Sequence, residues 1–149
     1  MVIFLIVITL TGRSPFLERE FLIAFDLMLV LVLGMVLYTI SARTNNNTAL
    51  YDYLNAALIF AAVVIDSIAL SAILFRLSEY GISPNKLAAL GENILLLINL
   101  LVLFWLYIKY FMKKIEFKKI ESWQCNYLTV YAIWMALVVF IFPPLFGFI

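Results

Sequence analysis

The sequence predicts an all-α fold, a transmembrane helical bundle of four spanning helices with one short apolar helix before them. Three observations carry that reading. Hydrophobic residues make up 66% of the chain and charged residues 13%, far from the mix of a water-soluble domain. Four apolar stretches, at residues 21–40, 50–75, 87–112 and 127–142, approach or exceed the roughly 20 apolar residues a helix needs to cross a hydrocarbon core. The polar interruptions between them carry helix start and stop signals. No linker suggests a second domain, so residues 1–149 form a single transmembrane domain.

The N-terminal apolar run, residues 2–10, reaches only about 14 Å as a helix and cannot span a bilayer of about 30 Å. No basic residue precedes it and no small-x-small site follows, so it does not read as a signal peptide. Two expectations remain, the clipped end of a further helix in a longer protein or a short interfacial segment, and the first is preferred.

The first full span is expected over 15–41. Ser14 and Pro15 suit the N-cap and first helical position, and Glu18 and Glu20 suit the positive end of the helix dipole. A polar loop with Asn45, Asn46 and Asn47 follows. The second span, 50–80, stops at Gly81, a left-handed C-terminal cap. Ser83 and Pro84 open the third, 84–112. A connection this short makes the second and third helices antiparallel neighbours. Lys113, Lys114, Lys118 and Lys119, with Glu116 and Glu121, make the segment between Lys113 and Gln124 a charged loop. Its Phe117, Ile120 and Trp123 share an arc that could lie on the membrane surface. The fourth span, 126–142, must end or kink at Pro143 and Pro144, which remove two amide donors.

Counting Lys and Arg gives six on the side of loops 41–49 and 113–125 and four on the other. The positive-inside bias then places the Lys113-to-Gln124 loop in the cytoplasm and the C-terminus outside, with a bacterial inner membrane as the expected location. In that orientation the Asn46-Asn47-Thr48 sequon is out of reach of a glycosyltransferase. Tyr38, Tyr51, Tyr53, Tyr107, Tyr110, Trp123 and Tyr127 would form an inner aromatic belt.

Composition also excludes function classes. A net charge of +1 gives no reason to expect nucleic acid. With no histidine and one cysteine, Cys125, neither a thiolate–imidazole metal site nor an internal disulfide can form. Gly-x-Ser-x-Gly, a phosphate-binding glycine loop and a His/Cys nucleophile pair are all missing. Asp26 and Asp66 lack the motifs of intramembrane aspartyl chemistry. The chain therefore reads as a non-enzyme without catalytic, cofactor or metal residues. Its expected partners are the lipid bilayer and other membrane helices, of the same longer chain, a second copy or other subunits.

Asp26, Asp66 and Glu92 fall within spans, where an ionisable group costs about 2.5–3.5 kcal/mol on insertion scales. At 100° per residue Asp52, Asn55, Asp66 and Tyr80 lie near one line of the second span, and Asn85, Glu92, Asn99 and Tyr110 near one line of the third. Folding about Ile82 brings Asp66 beside Asn99 and Arg76 within a turn of Glu92. The structural reading makes these residues interhelical glue, helped by small residues such as Ala62, Ala89 and Gly91. The alternative is an ion or proton path through Asp26, Asp66, Glu92 and Asn99. Arg76, Glu79, Tyr80 and Lys86 form an outer turn cluster, which either fixes the turn by local ion pairs and snorkelling or binds a partner or headgroup.

The run Arg76-Leu-Ser-Glu-Tyr-Gly-Ile-Ser-Pro-Asn-Lys-Leu87 resembles a turn of bacterial polytopic membrane proteins known only as domains of unknown function. In their pattern three residues separate Arg from Tyr-Gly, and an apolar residue and then Ser or Thr lead to a basic residue. Leu90-Gly-Glu-Asn-Ile-Leu-Leu-Leu and Phe142-Pro-Pro-Leu-Phe-Gly-Phe are similar to the C-terminal part of the same proteins. The resemblance covers about half the chain, from Arg76 to Phe148. Lys86 departs from it, standing where arginine is commoner. It implies a multi-pass membrane lineage longer than this chain and carries no activity with it.

Overall fold

In the computed structural model the described residues are 6, 10, 19–42 and 49–147. Their long elements are four helices: α1 (Arg19–Ser41), α2 (Ala49–Tyr80), α3 (Pro84–Phe111) and α4 (Phe117–Phe140). A single turn, α5 (Phe142–Leu145), ends the fold. Of the short N-terminal segment, Ile6 and Leu10 are described and helical. The rest of that segment, the Ser14-Pro15 start and the asparagine-rich loop lie outside the described residues.

The turn between α2 and α3 forms as its residue types require. Gly81 takes φ +74°, the left-handed conformation open to a residue without Cβ. Ser83 is extended, at φ −134° and ψ 153°, and its Oγ accepts the amide of Lys86 at 3.4 Å, with Pro84 next in line. This reversal folds α3 back on α2, and the two share the most extensive interface in the molecule. α1 packs on α2, and α4 packs on α3 while also touching α1.

α3 closes differently. Lys113 adopts φ +55°, its amide bonds to Tyr110 O at 2.9 Å and the Lys114 amide to Lys109 O at 3.0 Å. That is the double closure of a Schellman cap, built here without glycine. α4 then begins at Phe117 and not at 126, which corrects the expected charged loop: most of it is the first two turns of a helix. Ile120 is fully buried in the core, with Phe117 and Trp123 packed against the same cluster. The apolar arc at 117, 120 and 123 therefore faces the bundle and not the membrane surface. At the other end α4 stops at Phe140, and Pro143 and Pro144 fall in the first turn of α5, where their missing amides are not needed.

The core is a seam of Leu29, Val32, Val36 and Ile40 from α1 against Ile59, Ala62, Ile65 and Ala69 of α2 and Leu100 and Leu103 of α3. The α1 residues repeat every three or four positions, one face of a helix. The opposite faces are just as apolar: Leu27, Leu31, Met35, Phe60, Leu101, Ile133 and Met135 are exposed. An apolar outside around a packed inside is the pattern of a helix bundle in lipid. Three helical stretches are long and apolar enough to cross a membrane: Leu50–Tyr80, Pro84–Phe111 and Phe117–Phe140. Over the described residues α1 offers a shorter apolar run, Asp26–Ser41. The chain is thus a helical integral membrane protein.

Candidate functional site

Among the described residues, polar side chains inside the bundle form three seams, while Asp66 and Gln124 are buried without hydrogen-bond partners. The first seam joins α1, α2 and α3 near the end of α1. Asn55 Nδ2 donates to Thr39 Oγ1 at 2.9 Å and reaches the Tyr107 hydroxyl at 3.4 Å. Nearby, the Tyr110 hydroxyl donates to Asp52 Oδ2 at 3.2 Å. Tyr107 is fully buried, so this member of the expected aromatic belt belongs to the interior.

The second seam ties α3 to α1 near the α2–α3 turn. Asn93 Nδ2 donates to Asp26 Oδ1 and to Ala89 O, both at 3.0 Å. The third runs between α3 and α4. Trp123 Nε1 donates to Asn99 Oδ1 at 3.0 Å, Asn99 Nδ2 to the Tyr131 hydroxyl at 3.3 Å, and the Tyr127 hydroxyl to Leu95 O at 2.7 Å. Tyr127, another expected belt residue, is buried. One turn from this seam the indole of Trp134 lies directly over Gly91, where no Cβ intervenes.

Asn99 thus gives both ends of its amide to α4, and Asp66 is left without it. Asp66 is 0% exposed and neither carboxylate oxygen has a hydrogen-bond partner. Gln124, also buried, leaves both its amide oxygen and nitrogen unpartnered. Among the described residues no three acidic or thiol groups converge as metal donors would.

The remaining sequence candidates divide. Glu92 is exposed on α3 and does not enter the seam; the adjacent Asn93, which the periodicity argument passed over, is the residue that turns inward. Arg76, Tyr80 and Lys86 do come together. Lys86 Nζ donates to Gly81 O at 2.9 Å and Tyr80 O at 3.3 Å and sits 5.7 Å from the Tyr80 ring centre. These carbonyls are the unsatisfied end of α2, so the lysine caps that helix. Glu79 is exposed.

Among the described residues, clefts lie at opposite ends of α1 and α2. One, of about 440 Å³, is lined by Asp26, Arg76, Tyr80, Ser83, Asn85 and Lys86, with Ile23, Ile73 and Ala89 as apolar wall. The other, of about 510 Å³, is lined by Thr39, Asp52 and Asn55 among apolar residues, with Phe117 from α4. Asp66 lies between them along α2, about 15 Å from Arg76 and about 21 Å from Asp52 at 1.5 Å per residue.

Residues missed in the sequence reading are mostly aromatic or single amides: Asn93, Thr39, Gln124 and Tyr131. The signal for Asn93 is its 3.6-residue phase with Leu96, Leu100 and Leu103, all buried on α3. No family model, curated protein or solved structure matches the chain.

Proposed function

We propose that this protein is a non-catalytic multi-pass membrane domain or subunit, packed through polar interhelical seams and working beside other membrane helices. α1 serves as the fourth crossing, before the three longer spans. The observation that carries this reading is where the intramembrane polar groups end: Asn55, Asn93, Asn99, Tyr110 and Tyr127 each bond to a neighbouring helix. In lipid, apolar surface gives helices no reason to associate, and such bonds contribute roughly 0.6 kcal/mol each. α4 supports the partner part of the proposal. Only 11% of its apolar window is buried, against 39% for α2, which leaves most of it to lipid or to further helices.

The proposed setting is a bacterial inner membrane with the lysine-rich segment in the cytoplasm and the C-terminus outside. Six basic residues on one side against four on the other support the sidedness. The proposed lineage is that of the polytopic proteins whose Arg-x3-Tyr-Gly turn this chain resembles.

One observation favours a second reading, an ion- or proton-coupled transporter or channel element. Asp66 is buried without a partner, and a cleft opens at either end of the helix that carries it. Proteoliposome flux assays with proton- and sodium-sensitive dyes separate the two. The packing proposal expects no flux above protein-free vesicles, together with lowered thermal stability in Asn99→Leu and Asn93→Leu. A flux abolished by Asp66→Asn, with folding intact, favours the second reading instead.

A further inference from the structure

The cleft at the α2–α3 turn has a composition that helix packing does not require. Its volume of about 440 Å³ falls in the range of small-ligand sites, which set a few polar groups against apolar wall. Residues of both signs line one space: Asp26 on α1, Arg76 on α2 and Lys86 on α3. The groups are also held in place. Asn93 holds Asp26 through Oδ1, and the second carboxylate oxygen can accept another donor. Lys86 gives two of its three protons to the Tyr80 and Gly81 carbonyls and keeps one.

We propose that this cleft binds the phosphoethanolamine headgroup of a membrane phospholipid, with the phosphate against Arg76 and Lys86 and the ammonium on Asp26. The position argues for a lipid. The cleft lies where two long apolar helices end, beside the exposed Tyr80 ring, at the level where aromatic and basic side chains meet headgroups. Ile23, exposed on α1, belongs to its wall and offers apolar contact to the glycerol and acyl chains. The carboxylate argues for a primary ammonium. A quaternary choline group has no N–H to donate to Asp26, and an anionic glycerol headgroup leaves that carboxylate without a cation. The proposal needs the helices to cross a bilayer and is independent of whether Asp66 conducts.

Native mass spectrometry of the full chain, titrated with phospholipids of identical acyl chains, tests it. A single ethanolamine-lipid adduct is expected to saturate at about tenfold lower concentration than choline or glycerol lipid, the value of one charge-assisted hydrogen bond. Arg76→Gln should weaken all three, and Asp26→Asn should remove the preference while its amide oxygen still accepts from Asn93. Stepwise N-methylation of the lipid gives the same test on the unaltered protein: affinity must fall at the third methyl, which removes the last N–H. Equal binding of the three lipids, or a preference that survives both Asp26→Asn and full methylation, overturns the proposal. Displacement of the lipid by an equal concentration of soluble phosphoethanolamine overturns the lipid as the source of the headgroup.

Discussion

Asp66 and Asn99 are at similar depth on facing helices, yet they have opposite fates. Asn99 is fully used, with Trp123 on its oxygen and Tyr131 on its nitrogen; Asp66 is fully buried and unused. An unsatisfied buried polar group costs about 1–3 kcal/mol. Replacing Asp66 with leucine, of similar reach, is therefore expected to leave stability unchanged or raise it by up to about that amount, read from thermal unfolding in lipid. A residue that glued helices together would lose stability instead. At this scale the sequence located several of the polar positions, Asn55, Asp66 and Asn99 among them, but neither Asn93 nor the partners. Periodicity placed Asn55, Asp66 and Asn99 on inward faces. It selected Glu92 over Asn93, about 100° away about the axis, because the stripe was phased on Asn85, Asn99 and Tyr110 and not on Leu96, Leu100 and Leu103, which pack into the core. Nor could it assign Asn99 to α4, since the fold-back argument knew only the tight turn and not which helix crosses on the other side.

Element boundaries follow local chemistry where that chemistry is specific. The Gly81–Ser83–Pro84 turn was readable because each residue type does one thing there. The end of α3 was readable only in position. Lys113 occupies a left-handed C′ site that strains any residue with a Cβ by about 1–2 kcal/mol. Lys113→Gly is expected to stabilise the protein by about 1 kcal/mol, measured as a rise in midpoint temperature. The start of α4 was misread because Lys113, Lys114, Lys118 and Lys119 look like loop. The burial of Ile120, with Phe117 and Trp123 packed on the same cluster, shows that the same segment also carries a helical apolar stripe, and packing prevailed over charge. Helix contacts give a further prediction at this scale. A methyl at Gly91 would be driven into the Trp134 ring, so Gly91→Ala should destabilise by about 1–3 kcal/mol, as overpacking does. Adding Trp134→Leu to the same chain should recover part of that loss.

Over the whole molecule, the fold class was the most legible feature, because an apolar exterior cannot be reconciled with water whatever the helix contacts are. Sidedness rests on the lysine bias alone and has a direct check. In a Cys125→Ser background, Lys114→Cys and Asn85→Cys, both at exposed positions flanking opposite ends of α3, should react with a membrane-impermeant thiol reagent from opposite sides. Lys114→Cys should react from the cytoplasmic side. In the proposed packing, polar seams hold these helices together, and the Asn99–Trp123 contact at 3.0 Å is the clearest instance. A double-mutant cycle of Asn99→Ala and Trp123→Phe, read by reversible unfolding in lipid, isolates that bond. A coupling of about 0.6–1.7 kcal/mol is expected, the range from the average to the largest interhelical hydrogen bonds in membranes. Strictly additive effects of the two substitutions would contradict it.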